Sequence, residues 1–257
     1  MKILNLKRLL KNGVTRMIKP NSKKVNVIIP MAGRGKRFLD AGYSTPKPLL
    51  DLNGKPMIEY VIDCMRFPNV HFIFLILQEH IEKYNLQEIL KSIEPSADII
   101  VVNKVTEGAI CTVLLAKHLI DSEEEVFIKD SDQVLNWVPE HFLDFMRRNN
   151  ADGGIQTVHT DNPGYSFAKI GDHPKIIQTA EKIMISNYGA TGCYYFAKGK
   201  DLIKYANQMI EKNIRTNNQF IEDGKSILNY PIAEMYGLNT PEEFESQKHL
   251  VAGMFSP

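Results

Sequence analysis

From Val25 onward the chain alternates short apolar runs with amphipathic stretches, and this alternation limits the fold more than any other feature. Runs such as His71–Leu77 are the length of a strand and carry no polar alternation, as expected of strands covered on both faces. Strands are therefore expected at Val25–Ile29, His71–Leu77, Asp98–Val102, Val126–Lys129 and Ile155–His159. Helical spacing appears between them, at Met57–Met65, Ile81–Ile93, Ala109–Ile120 and Glu140–Arg148. Such βαβ alternation predicts an α/β fold, a Rossmann-like, mostly parallel sheet flanked by helices. Past Asp161 come shorter strands, Phe167–Ile170, Lys175–Thr179 and Gly192–Phe196, and a helix at Lys200–Asn213. These are expected to extend the same sheet in mixed fashion. A last helix opens at Thr240-Pro241-Glu242-Glu243, where Thr240 caps and Pro241 takes the first helical position.

Residues 1–24 have a different texture, with eight basic residues and no acidic one. The whole chain of 257 residues holds 31 Lys and Arg against 30 Asp and Glu, so residues 25–257 keep 23 basic and 30 acidic groups, a net of −7. A body with that balance is not built to follow a nucleic acid backbone. Within the extension Ile3, Leu6, Leu9, Leu10, Val14, Met17 and Ile18 recur at helical spacing, broken at Asn12-Gly13 and stopped at Pro20. The pattern reads as a basic helix loosely docked on the domain at 25–257, with a membrane-surface or partner-binding helix, or a targeting peptide, as the alternatives. Nothing approaches the about 18 continuous apolar residues of a membrane span, so no stable membrane insertion is expected. Cys64, Cys111 and Cys193 form no CxxC pair and read as reduced residues, and a cytoplasmic protein is expected.

The chemistry concentrates in Pro30-Met31-Ala32-Gly33-Arg34-Gly35-Lys36-Arg37-Phe38, directly after the first strand, and in Pro46-Lys47-Pro48. Two glycines let the backbone pass close to a ligand and turn its N–H groups inward, while Arg34, Lys36, Arg37 and Lys47 bring four cations to one region. A loop of this kind at a strand's carboxyl end suits a triphosphate. The dinucleotide fingerprint G-x-G-x-x-G fails, because Phe38 stands where the third glycine belongs, and hydride transfer loses its support. A P-loop also fails: ahead of Gly224-Lys225-Ser226, Gln219 occupies the first glycine position.

The second feature is Asp130-Ser131-Asp132-Gln133 after the strand Val126–Lys129. A carboxylate at this rim can hold a hard divalent cation against phosphate oxygens, and magnesium is the natural candidate. A plain Asp-Ser turn is the structural alternative.

With these motifs in order, the chain from Val25 to about Glu245 resembles the nucleotidylyltransferases that activate sugar 1-phosphates for surface polysaccharides. The resemblance rests on Gly33-x-Gly35-x-Arg37, Thr45-Pro46-Lys47-Pro48-Leu49, Gly54-Lys55-Pro56-Met57-Ile58 and Glu107-Gly108-Ala109. It continues through Ser131-Asp132, Glu181-Lys182, Ala190-Thr191-Gly192-Cys193-Tyr194-Tyr195 and Gly237-Leu238-Asn239-Thr240-Pro241-Glu242. It implies the nucleotide-diphospho-sugar transferase type of fold and a reaction in which an NTP and a phosphate monoester give an NDP-linked product and pyrophosphate. Arg37 and Lys47 would hold the triphosphate, Asp132 would bind Mg2+, and Lys182 would clasp the acceptor phosphate, with Lys169 as its competitor. Ala32, Gly33, Gly35 and Lys36 would surround the nucleotide phosphates. Glu107 and Gly108 would line the base pocket with Gln78, and Glu181 and Gly192 would meet acceptor hydroxyls. Assembly into a homo-oligomer is left open.

Two departures bear on activity. Lys36 stands where the family has a small hydroxyl residue. A segment containing Pro-x-Tyr-Asn, expected between Phe220 and Asp223-Gly224-Lys225, is absent, and Gln219 replaces a carboxylate. The second metal carboxylate of the thymidylyltransferases is thereby in question, with Glu222 or Asp223 as substitutes. Alternatives to sugar activation are a cytidylyltransferase acting on a non-sugar phosphate, such as phosphocholine or phosphoglutamine, and a nucleotide-binding paralogue without turnover.

Overall fold

The computed structural model describes residues 23–214 and 218–254. Residues 1–22, which hold nearly all of the basic extension, lie outside that range. Along the chain the elements are β1 (Val25–Met31), α1 (Lys36–Asp40), β2 (Asp51–Leu52), β3 (Lys55–Pro56), α2 (Met57–Asp63), β4 (Val70–Leu77), α3 (Gln78–Tyr84), α4 (Leu86–Ile93) and β5 (Asp98–Val102). Then follow α5 (Ala109–Val113), α6 (Lys117–Ile120), β6 (Glu125–Lys129), β7 (Gln133–Asn136), α7 (Pro139–Arg148), β8 (Gly153–His159), β9 (Ser166–Ile170) and β10 (Ile176–Glu181). The last are β11 (Tyr188–Phe196), α8 (Gly199–Glu211), α9 (Gln219–Glu222), β12 (Ile227–Ile232), β13 (Glu234–Gly237) and α10 (Pro241–Met254).

The main sheet runs β10-β9-β11-β6-β1-β4-β5, with β8 joined to β11 and β12 joined to β8. Strands β6, β1, β4 and β5 are parallel, so their carboxyl ends share one rim. β11 enters antiparallel against β6 and makes the sheet mixed. Alternate residues feed two cores. Val27, Ile29, Phe72 and Phe74 face a layer that includes α2, α7 and α10, while Ile28, Ile73 and Leu75 face α5, α6 and α8. This is the α/β sandwich that the apolar runs predict.

Several boundaries differ from expectation for local reasons. The helix expected at Ile81–Ile93 begins at Gln78 and divides at Asn85, whose left-handed backbone (φ 53°) ends α3 and starts α4. Asn tolerates that conformation better than most residues. The helix expected at Ala109–Ile120 passes through a tighter turn at Leu114–Ala116. The strand expected at Gly192–Phe196 begins at Tyr188. Two pairings had no period-2 signal. β12 runs parallel beside β8, and β13 pairs antiparallel with β7 in a separate ribbon. Thr240 caps α10 as expected, its Oγ1 accepting from the Glu243 N–H at 3.2 Å. Cys64 and Cys193 are buried and unpaired, and Cys111 is half-buried.

Candidate active site

The rim at the carboxyl ends of β1, β4, β5 and β6 carries most of the predicted residues. After Ala32, which is buried, the chain emerges at Gly33 and turns at Gly35 with a left-handed φ of 65°. A Cβ at Gly35 would lie 3.2 Å from Cβ of Lys47, so glycine here serves both the turn and the close approach of the second motif. Phe38, fully buried on α1, anchors the loop.

Lys47 begins a short helical turn, Lys47–Leu49, bracketed by Pro46 and Pro48. Its Nζ donates to Asp132 Oδ2 at 2.5 Å and to the Asn239 carbonyl at 3.3 Å, and it lies 5.3 Å from the centroid of the Phe38 ring. Three distant parts of the chain therefore meet at one ammonium. The four loop cations do not all share this role. Arg34 is paired with Glu79 at 2.9 Å and Lys36 with Asp40 at 2.7 Å, both in solvent-exposed positions. Arg37 lines the cleft and forms no ion pair among the described residues.

The cleft has a volume of about 970 Å³. Asp130 lines it, and its backbone N–H donates to the Gly192 carbonyl at 2.8 Å. Gly192 has φ 66°, and a Cβ there would fall 2.3 Å from Asp130 Oδ2. Gly192 is thus required by the carboxylate that lies against it. Desolvation, reinforced by the neighbouring Asp132 carboxylate, pushes the Asp130 carboxyl up to about 6.

At the end where the acceptor is expected, Glu181 closes β10 and Lys182 follows it, and both line the cleft with Tyr165, Ser166 and Tyr194. Ser166 Oγ donates to Glu181 Oε2 at 2.7 Å. Lys182 adopts a left-handed φ of 52°, uncommon for a residue with a Cβ, and its N–H donates to the Tyr165 carbonyl at 3.1 Å. Lys169 is exposed on β9 and is not among the residues that line the cleft, whereas Lys182 is. Burial raises the Tyr165 and Tyr194 hydroxyls above the ordinary tyrosine value, helped by Glu243 at the first and Asp130 at the second.

The predicted base-side residues sit on the same rim, further out. Glu107 is exposed and Gly108 half-buried in the loop before α5, whose Ala109, Ile110 and Val113 line the cleft. Gln78 opens α3, and its Nε2 donates to Glu82 at 2.7 Å. The substitutes considered for a second metal carboxylate do not reach the cleft. Asp223 accepts from Tyr205 OH at 2.9 Å and from Gln219 Nε2 at 2.8 Å, and neither it nor Glu222 lines the cavity. What approaches Asp132 is Asn239, because β13 pairs with β7 and the Leu238 N–H donates to the Asp132 carbonyl at 2.9 Å. Asn239, Asp130, Tyr165 and Tyr194 line the cleft although the sequence motifs assign them no role. Asn239, Asp130 and Tyr194 lie within sequence motifs, but only the strand pairings place them at the cleft.

Among the described residues no group of three or more His, Cys, Asp or Glu side chains is arranged to hold a metal ion. The carboxylate of Asp132 alone would still suit magnesium, which takes one or two protein oxygens and fills the rest of its shell with water and phosphate. Also among the described residues, no helix is long and apolar enough to cross a membrane.

Comparison with known proteins identifies the family. The chain matches the nucleotidyl transferase family model over residues 26–236. It is 29% identical over 201 residues to the bifunctional protein GlmU of Buchnera aphidicola, across 75% of this chain and 41% of that protein. It is 32% identical over 120 residues to a 2-aminoethylphosphonate cytidylyltransferase of Lancefieldella rimae, across 42% and 48% of the two chains. The chain thus spans about half the length, or less, of these curated relatives. Among solved structures it resembles a nucleoside-diphosphate-sugar pyrophosphorylase of Vibrio cholerae, with a TM-score of 0.75, 25% identity and coverage of 87% of this chain and 99% of the other. The inositol-1-phosphate CTP transferase of T. maritima shares the fold at a TM-score of 0.71 and 14% identity, covering 90% and 96%. A strand-end glycine loop, a lysine bonded to an aspartate across the rim and a family match over most of the domain converge: the chain belongs to the nucleotidyl transferase family.

Proposed function

We propose that this protein transfers a nucleotidyl group from an NTP to a phosphate-monoester acceptor, with a sugar 1-phosphate as the leading acceptor, and releases pyrophosphate. The observation that carries the proposal is the Lys47–Asp132 contact, which joins the expected triphosphate loop to the carboxylate turn next to the cleft-lining residues Asp130 and Asn239. An acceptor phosphate oxygen would attack the α-phosphorus in line, forming one P–O bond as the bond to the pyrophosphate oxygen breaks. Both reactants are anions, so positive charge must offset their repulsion and the charge that builds in the transition state. Arg37 and Lys47 would take the triphosphate and the departing pyrophosphate, and Lys182 the acceptor phosphate. Bound magnesium, held by Asp132, would neutralise phosphate charge. No side-chain nucleophile is needed, because alignment alone can be worth ~7–11 kcal/mol of the barrier.

A second acceptor class is favoured by one observation. The Asp130 carboxylate faces the cleft with no hydrogen bond or ion pair among the described residues, near Tyr194 and Glu181. A carboxylate beside aromatic rings suits an ammonium group, as carried by aminoalkyl phosphates and phosphonates. The deciding measurement is pyrophosphate release with magnesium, pairing each of ATP, CTP, GTP, UTP and dTTP with sugar 1-phosphates, phosphocholine and 2-aminoethylphosphonate. Turnover of the sugar phosphates supports the leading reading, and turnover confined to the cationic acceptors supports the second. NTP binding without release from any pair would refute both and leave a nucleotide-binding protein.

A further inference from the structure

Lys129, the last residue of β6, is fully buried. Its Nζ donates to the carbonyl of Asp130 at 2.9 Å, the one hydrogen bond it makes among the described residues. Its charge is felt by the thiols of Cys64 and Cys193 in the main core, whereas the next residue, Asp130, opens into the cleft. The strand's alternation therefore sends residue 129 inward and residue 130 toward substrate. A lysine in such a position is costly, because its ammonium loses hydration and gains one carbonyl. An apolar side chain would fill the core at less expense. What the lysine adds is a positive charge behind a turn that holds two carboxylates two residues apart.

We propose that Lys129 is a positioning residue for nucleotidyl transfer, a buried cation that pins the Asp130–Asp132 turn through the Asp130 carbonyl and balances its carboxylates from the core side. The proposal rests on the function assigned above. With Lys47 occupied at Asp132 Oδ2 and Lys182 3.9 Å from Glu181, Lys129 is the cation that the cleft's ligands do not displace. It keeps the turn in one arrangement whether phosphate is bound or not.

A double-mutant cycle on the full chain separates charge balance from simple packing. Lys129→Met, Asp130→Asn and the double variant would be compared with the wild type by kcat and KM of pyrophosphate release and by thermal midpoint. Charge balance predicts that Lys129→Met lowers kcat about tenfold in the wild-type background, with acceptor KM within threefold and the midpoint unchanged or raised. In the Asp130→Asn background the same change should cost less than threefold. An equal cost in both backgrounds, or full activity of Lys129→Met, would overturn the proposal. If Lys129→Met fails to fold, Lys129→Gln in the same two backgrounds reads the same coupling. If the wild type releases no pyrophosphate, the cycle is read on affinity for magnesium-loaded NTP, so failure of the functional reading and failure of the Lys129 role remain distinguishable. Absence of NTP binding by the folded wild type would overturn both.

Discussion

Lys47 and Asp132, 85 residues apart, meet at 2.5 Å with only 13% and 22% of their side chains exposed. Partial burial strengthens this pair relative to one in open solvent and holds Lys47 against Asn239, a cleft-lining residue, before any substrate arrives. Phe38 and Gly35 fix the lysine from the other side, by a cation–π contact and by a backbone that leaves room for it.

Replacing either member of this pair should damage catalysis more than folding. Lys47→Ala and Asp132→Ala are each expected to lower kcat by at least ~10²-fold while the circular dichroism spectrum is retained. Steady-state pyrophosphate release is the measurement, and a near-normal rate for either variant removes that residue from the mechanism.

Gly192→Ala tests the packing of the acceptor side. The left-handed backbone costs alanine about 1–2 kcal/mol, and the new methyl would collide with the Asp130 carboxylate. Urea denaturation should show a loss of at least that size. The acceptor KM should rise several-fold with the NTP KM unchanged, and equal rises in both would place Gly192 outside the acceptor half.

His80 makes stability depend on pH. It is buried, its Nδ1 lacks a partner among the described residues, and desolvation holds its pKa below the ordinary value. The fold binds the neutral ring, so its contribution is complete above the unfolded pKa of roughly 6.5 and is lost as pH falls through the lower folded value. Thermal midpoints recorded from pH 8 to pH 5 should fall more steeply for the wild type than for His80→Leu. Parallel curves would show that His80 is not the titrating group.

The base of β6 is held by a buried polar cluster that includes a charged pair. Glu125 accepts from Arg147 Nε at 2.8 Å and from Tyr195 OH at 2.7 Å, and a second contact with Arg147 completes a two-pronged pair. Arg147→Met leaves a buried carboxylate without its counter-ion and should cost about 3 kcal/mol in chemical denaturation. Adding Glu125→Gln should recover part of the loss. A double variant weaker than the single one would contradict this account.

The reading from sequence was strongest where the signal is local. Val27 and Ile28 send adjacent side chains into opposite cores, as an uninterrupted apolar run implies. Thr240 caps its helix as its neighbours suggest. Boundaries failed where one residue's backbone decides, as at Asn85, whose left-handed turn splits a continuous amphipathic pattern. Pairings failed where the partner is distant: neither β7 nor β13 carries a strand pattern of its own, and each is stabilised by the other. The four loop cations show the same limit, since composition puts Arg34, Lys36, Arg37 and Lys47 together while side-chain geometry commits the first two to Glu79 and Asp40.

The sequence alone determined the α/β layering, the strand-end glycine loop and the identity of the acidic turn, because period, glycine content and charge act over a few residues and survive without tertiary context. Tertiary structure decided that Asp130 lies against Gly192, that Leu238 bonds the Asp132 backbone and brings Asn239 to Lys47, and that Lys129 is buried in the core. Those relationships depend on hydrogen bonds near 3 Å between strands far apart in the chain, and such distances exist only once β6, β11 and β13 have found their partners.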